Sequence, residues 1–171
     1  LDEIDRIVIT THESAIRIIS KKGKLANAAD RDHCLQYMAA VPLIFGNLNA
    51  EHYEDGFHEA NPLIDTLREK MEIIEDERYT LEYLEADKRS IANAIQVFFK
   101  DGSSTEKVAV EYPIGHRRRR KEGIPLLEEK FKANLSTRFV GQRCQEIFNL
   151  CDNQKVLENT PVNEFAALFA I

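Results

Sequence analysis

A chain of 171 residues with 43% hydrophobic and 30% charged residues has the composition of an ordinary soluble globular protein, long enough for one domain with a proper core or for a domain plus an appendage. Its formal net charge of −6 argues against a general nucleic-acid binder, for which a basic domain is expected. No apolar run approaches the roughly 18 residues that a membrane span needs.

The chain opens on Leu1 and passes almost at once into an expected strand from Ile4 to Thr11, so it reads as a piece of a longer protein. Its amphipathic, acidic beginning carries no signal-peptide pattern. A short helix follows over residues 13–20, with Ala15, Ile16 and Ile19 at helical spacing. Lys21-Lys22-Gly23-Lys24 reads as a turn or exposed loop. Asp30 is a good N-cap for a helix over residues 31–45, on which Leu35, Met38, Ala39, Pro42 and Leu43 share a side. Pro42 is expected to bend that helix and Gly46 to stop it.

Residues 47–60 form a polar stretch in which His52 and His58 are expected to be exposed. Asn61-Pro62 sets a cap and a first-turn proline before a helix over residues 62–70. Ile73 and Ile74 open a strand, and the charged segment 75–89 has no assignable period. Ile95, Val97 and Phe99 alternate, Asp101-Gly102 signals a hairpin, and Val108, Val110 and Tyr112 alternate on the return strand.

The tail is helical. Pro125 is expected to start a helix with Leu127, Phe131 and Leu135 four apart; a second carries Cys144, Ile147, Phe148 and Cys151; Thr160-Pro161 caps a last one. Strands segregated from helices predict an α+β fold: a small, mostly antiparallel sheet covered by helices, with a helical C-terminal tail.

Two constellations carry chemistry. In Tyr112-Pro113-Ile114-Gly115-His116 followed by Arg117, Arg118, Arg119, Arg120 and Lys121, five consecutive cations stand in an otherwise acidic chain. Arginine grips carboxylate or phosphate with a planar fork, and at most two of the run can face one ligand. The alternative is a solvated or salt-bridged loop. Gly115 lets the backbone turn before the charges, and neighbouring cations favour a neutral His116.

The second constellation, Ala29 to Met38, packs Asp30, Arg31, Asp32 and His33 into one turn, with Tyr37 four residues after His33. A carboxylate ligand could dock at this helix N-terminus with Arg31. The simpler account is that the acids cap while His33 and Tyr37 pack. No C-x-x-C and no histidine pair at i, i+4 is present, so no metal site is expected. The three cysteines, Cys34, Cys144 and Cys151, are too few for a disulfide scaffold and set a reducing, cytoplasmic compartment as the default.

The segments ADRDHCLQYMAAVPLIFG (Ala29 to Gly46) and YPIGHRRRRKEGIPLLEEKFKANL (Tyr112 to Leu135) resemble the C-terminal part of the MmgE/PrpD family. The resemblance runs in order and spacing along essentially the whole chain, including Thr10-Thr11-His12 and the closing helices. It implies two domains in the whole protein, a large all-helical one and a smaller α+β one, with the active site in the cleft between them. Residues 1–122 correspond to the smaller, lid-like domain and residues 123–171 to a tail that packs on the helical domain, which is absent here. Much of the acid–base machinery is expected in that absent domain, so the fragment alone is expected to have little or no activity.

The resemblance further implies a lyase that removes water from 2-methylcitrate to give 2-methyl-aconitate in propionate breakdown, without metal or other cofactor. Arg31, Arg117 and Arg118 become candidates for binding substrate carboxylates, and His33 and His116 for proton handling. The implied partners are the tricarboxylate, the helical domain and a second copy of the chain, with no nucleic acid and no membrane. Relatives within the family include a decarboxylase whose tyrosine is replaced here by the stretch Ile18, Ile19 and Ser20, which argues against that activity. Epimerase or hydratase activity on a related acid, or a non-catalytic anion-binding module, are the alternatives. An apolar patch including Phe165, Leu168, Phe169 and Ile171 is expected where the helical domain would sit.

Overall fold

The computed structural model describes residues 1–170. It divides into two compact units, residues 1–113 and the described residues from 114 onward. The first is built on a four-stranded sheet of order β2-β1-β3-β4. Its strands are β1 (Ile4–Thr11), β2 (Met71–Glu75), β3 (Asn93–Phe99) and β4 (Val108–Val110). β1 runs parallel to β2 and antiparallel to β3, and β3 is antiparallel to β4. The sheet is therefore mostly antiparallel, as its hairpin signal suggests.

The register explains the core. Ile7 lies opposite Met71 on one side and Val97 on the other, and Ile9 lies opposite Ile73 and Ile95. Because strand side chains alternate, these residues share one face, and Ile7, Ile9 and Met71 join the buried cluster with Leu25, Cys34, Tyr37, Ala40, Val41, Ile64 and Leu67. The other face carries Val8, Glu72 and Gln96 in register, with the Arg6 guanidinium 4.0 Å above the Phe98 ring.

The parallel pair needs a long crossover. It is made by α1 (Glu13–Ile19), α2 (Ala28–Asp32), α3 (Leu35–Phe45), a 3-10 turn (Ala50–Tyr53), α4 (Asp55–Ala60) and α5 (Leu63–Glu69). α6 (Glu77–Leu84) follows β2. Gly46 ends α3 in the left-handed region at φ 83°, its N–H bound to the Pro42 carbonyl at 2.9 Å.

Several local expectations need correction. The helix expected over residues 31–45 is two helices. Asn27, not Asp30, caps the first, its Oδ1 accepting from Asp30 N–H at 2.9 Å. Asp30 turns back instead to accept from Ala26 N–H at 3.0 Å and to pair with Lys21 at 3.1 Å. The chain becomes extended at Cys34, whose buried thiol lies 3.7 Å from the Lys21 carbonyl. Tertiary contacts thus outweigh a continuous helical period.

The polar stretch 47–60 folds as the 3-10 turn and α4, and it buries His52 while leaving His58 only 14% exposed. The His52 ring stacks on Phe45 and tilts against Phe57. Its Nδ1 accepts from Asn49 N–H at 3.0 Å, so the imidazole is satisfied inside. The segment without a period contains α6, capped by Asp76 accepting from Arg78 N–H at 2.9 Å.

The second unit holds a 3-10 turn (Arg117–Arg119), α7 (Arg120–Ser136), α8 (Gln142–Asp152), α9 (Gln154–Asn159) and α10 (Val162–Ala167). α7 begins at Arg120 and Pro125 lies inside it, because the strong helix formers ahead of the proline extend the helix beyond the expected start. Leu135 and Ile147 are buried, and the Phe131 and Phe148 rings lie 6.2 Å apart. Arg143 donates to the Leu168 carbonyl at 3.1 Å, and Phe165 meets Phe169 at 5.1 Å. Phe169 is 37% exposed, Phe165 and Leu168 are half-buried, and Ile171 lies outside the described residues.

Candidate functional site

The expected site residues fall in two segments: Arg31 and His33 in the first unit, and His116, Arg117 and Arg118 in the second. Arg31 sits on α2 with its side chain 2% exposed. Its Nε donates to the Tyr53 carbonyl at 2.8 Å and its Nη2 pairs with the Asp55 carboxylate. A buried guanidinium must be paired in this way, because an unpaired buried charge is very costly.

His33 follows α2 as its C-cap, with Nδ1 against the Asp32 carboxylate and the side chain 63% exposed. Tyr37, four residues later, is fully buried and donates its hydroxyl to the His52 carbonyl at 2.6 Å. Burial pushes its pKa up. The shared helical face expected for His33 and Tyr37 is therefore absent: the break at Cys34 turns the imidazole outward and the phenol inward.

Arg31 also borders a cavity of about 340 Å³ together with Asp55, His58 and Asp65. There His58 Nε2 lies 3.0 Å from Asp65 Oδ2, and the other Asp65 oxygen accepts from Arg68. One carboxylate thus bridges an imidazole and a guanidinium, which fixes the orientation of both. The sequence reading missed this chain. The signal was the separation of seven between His58 and Asp65 across the Asn61-Pro62 cap, which brings the two ends of a helical corner together.

In the second unit the basic run is helical rather than a loop. His116 caps the 3-10 turn, its Nδ1 accepting from Arg118 N–H at 3.2 Å. That bond places the proton of a neutral His116 on Nε2. Arg117 and Arg118 are exposed, and Arg119 pairs with Glu122. The glycine this corner demands is Gly123: a Cβ there would lie 2.1 Å from the Ile114 carbonyl oxygen. The Ile114 turn and the first turn of α7 pass so close there that only glycine fits.

The run also conflicts with its own helix. α7 has 17 residues, and the N-terminal end of a helix carries partial positive charge. Arg117, Arg118, Arg119 and Arg120 stand at that end, where acidic residues are favoured. Glu122 in the first turn, paired with Arg119, offsets part of this charge. Among the described residues no group of three or more His, Cys, Asp or Glu could hold a metal ion, and no helix is long and apolar enough to cross a membrane.

Residues 1–154 match the MmgE/PrpD C-terminal domain. The chain is 50% identical over 169 residues to the 2-methylcitrate dehydratase of Escherichia coli K12, covering 99% of this chain and 35% of that protein. The 2-methylcitrate dehydratase of Cupriavidus necator is 52% identical over 169 residues, again 99% of this chain and 35% of the relative. The mitochondrial 2-methylcitrate dehydratase of Yarrowia lipolytica is 49% identical over 168 residues, 98% of this chain and 32% of the relative. The chain belongs to the MmgE/PrpD family, as a C-terminal domain, and spans about a third of the length of the curated relatives it matches.

Proposed function

We propose that this chain is the C-terminal part of a hydro-lyase that converts 2-methylcitrate to 2-methyl-aconitate in propionate catabolism. The observation that carries the reading is identity at about half of all positions, over 99% of the chain, to proteins named for that reaction. The basic start of α7 supports it. A tricarboxylate brings about three negative charges, and arginines set against a helix dipole gain most from meeting them.

In the reaction a base takes the proton from a carbon beside a carboxylate, the electron pair forms the new double bond, and the hydroxyl on the adjacent carbon leaves with an added proton as water. Charge builds on the carboxylate as the proton departs, so fixed cations and donors lower the barrier. In this reading Arg117 and Arg118 hold carboxylates, and His116, its Nδ1 taken by Arg118 N–H, presents its Nε2 to the substrate or the leaving oxygen. His33, held at Nδ1 by Asp32, is the second candidate for proton handling. Arg31 contributes through the cavity it borders, with its guanidinium steadied by Tyr53 and Asp55.

Residues 1–122 act as the lid-like part and residues 123–171 as the tail that docks on the N-terminal portion of the whole protein. Ile124, Leu126, Leu127, Val156 and Val162, all exposed on the helices of the second unit, supply apolar surface for that docking. The whole enzyme is proposed to be a homodimer working in the cytoplasm or, as the name of the Yarrowia lipolytica relative says of that protein, in mitochondria.

The test uses the full-length enzyme containing this chain and follows the absorbance of the new double bond with 2-methylcitrate. Arg117→Ala and Arg118→Ala are expected to raise KM about tenfold or more. His116→Ala and His33→Ala are expected to lower kcat by about a hundredfold. Unchanged kinetics in all four variants would remove these residues from the mechanism, and absence of turnover in the unmodified enzyme would overturn the substrate assignment.

A further inference from the structure

The loop between α1 and α2 is held more firmly than an exposed lysine loop requires. Gln36 accepts from Lys21 N–H at 3.2 Å and donates to Ser20 Oγ at 3.0 Å. Arg68, only 7% exposed, donates from Nη2 to the carbonyls of Lys21 at 3.4 Å and Gly23 at 3.2 Å. Gly23 sits in the left-handed region at φ 79°, a conformation that lets the loop reverse. Three lysines therefore leave a backbone pinned from below by buried side chains.

They open on a cavity of about 410 Å³ whose charged lining is Lys21, Lys22, Lys24 and Arg68 against Asp65 and Glu69. With Asp30, which pairs with Lys21, counted beside Asp65 and Glu69, four cations against three carboxylates leave an excess of one positive charge, in a chain of net charge −6. Lys21 is paired with Asp30 at 3.1 Å and Arg68 with Asp65. Among the described residues, neither Lys22 nor Lys24 forms an ion pair. Beneath them the Arg68 Nε is buried without a hydrogen-bond partner, a donor left unused in the floor. Fixed cations around a concave surface focus potential into it.

We propose that this cavity binds a compact oxyanion of charge about −2, a phosphate or dicarboxylate group, clasped by the Lys22 and Lys24 ammonium groups. The site lies wholly within the first unit and uses none of Arg31, His33, His116, Arg117 and Arg118, although Lys24 and Asp65 also line the cavity that Arg31 borders. Arg68 and Gln36 are positioning residues here: they hold the loop, and the lysines meet the ligand.

The experiment titrates the 171-residue chain with inorganic phosphate and, separately, with succinate at constant ionic strength, following backbone amide shifts by NMR. Saturable shifts in residues 21–24 with either probe are expected, and whichever binds more tightly identifies phosphate or carboxylate as the natural group. Lys22→Ala/Lys24→Ala, both on exposed side chains and expected to leave the fold intact, should weaken binding about tenfold or more, while Lys22→Arg/Lys24→Arg should retain it. Equal affinity in the double alanine variant, non-saturating shifts, or shifts confined to residues 116–121 would overturn the proposal. Dehydration by the whole enzyme is read separately, so failure of either assignment leaves the other standing.

Discussion

The Tyr37 hydroxyl donates to the His52 carbonyl at 2.6 Å, tying α3 to the 3-10 turn fifteen residues further on. Both residues are buried, so the bond forms away from water and its loss leaves the carbonyl unsatisfied. Tyr37→Phe keeps the ring, and with it the edge-on contact to His58 at 5.7 Å. It is therefore expected to cost about 1–3 kcal/mol, the usual range for orphaning one buried polar group. Urea denaturation of the two proteins checks this. An unchanged midpoint would mean that water replaces the bond.

Arg31 makes a stronger demand. With its side chain 2% exposed, its Nε on the Tyr53 carbonyl and its Nη2 on Asp55, it secures the 3-10 turn and the start of α4 against α2. Arg31→Met removes the charge and is expected to destabilise by about 2–4 kcal/mol. Arg31→Lys is not conservative here, because an ammonium cannot reproduce the two divergent N–H directions, and a loss of about half that size is expected. Denaturation in urea reads both. A Lys variant as stable as the parent would show that charge alone, rather than fork geometry, matters at this position.

Why these features escaped the sequence is clear residue by residue. β1 was legible because Ile4, Ile7 and Ile9 mark a buried face in a central strand, and the end of α3 was legible because Gly46 alone adopts the required left-handed turn there. α6 was hidden because only Tyr79 among its residues is buried, while Leu81 and Leu84 face outward. The break at Cys34 and the burial of Arg31 depend on partners 13 and 24 residues away, beyond any local period. At the candidate site the residue types were legible, since the arginine run is visible by eye. Its helical state was not, because Pro125 reads as a helix start while the strong formers before it extend the helix.

His12 offers a pH-dependent test. It caps α1, its Nδ1 accepting from Ala15 N–H at 3.3 Å, and its ring stacks on Tyr83 with centroids 4.3 Å apart. Burial lowers its pKa below the ordinary imidazole value, with Glu13 opposing in part. The unfolded chain then binds more protons than the folded one near and below the ordinary value, so this contribution is present at neutral pH and is lost as pH falls through the folded pKa. Stability is expected to decline on going from pH 7.5 to pH 5.5, values set about one unit either side of the ordinary pKa near 6.5. His12→Asn retains a capping acceptor without a titrating group and should show a shallower decline. Parallel urea midpoints at the two pH values decide it, and identical slopes would place the titration elsewhere.

Gly123 gives the clearest contest between two effects. It lies inside α7, where Gly→Ala ordinarily stabilises by about 1 kcal/mol through the lower entropy of the unfolded chain and better helix propensity. Here the added Cβ would sit 2.1 Å from the Ile114 carbonyl oxygen and 3.2 Å from its carbon. Backbone cannot rotate aside as a side chain can, so either the Ile114 turn or the first turn of α7 must move. Overpacking of this kind costs about 1–3 kcal/mol, enough to reverse the sign of the helix gain. Gly123→Ala should therefore speed hydrogen exchange through residues 114–123, whereas a surface control such as Ser136→Ala should not. On the proposed function, the same variant in the full-length enzyme is expected to displace His116, Arg117 and Arg118 together and to raise KM for 2-methylcitrate, although residue 123 itself contributes no side chain to binding. A more stable protein with slower exchange would show that the turn has room to yield, and the basic run would then lack the rigid seat that the proposed carboxylate binding uses.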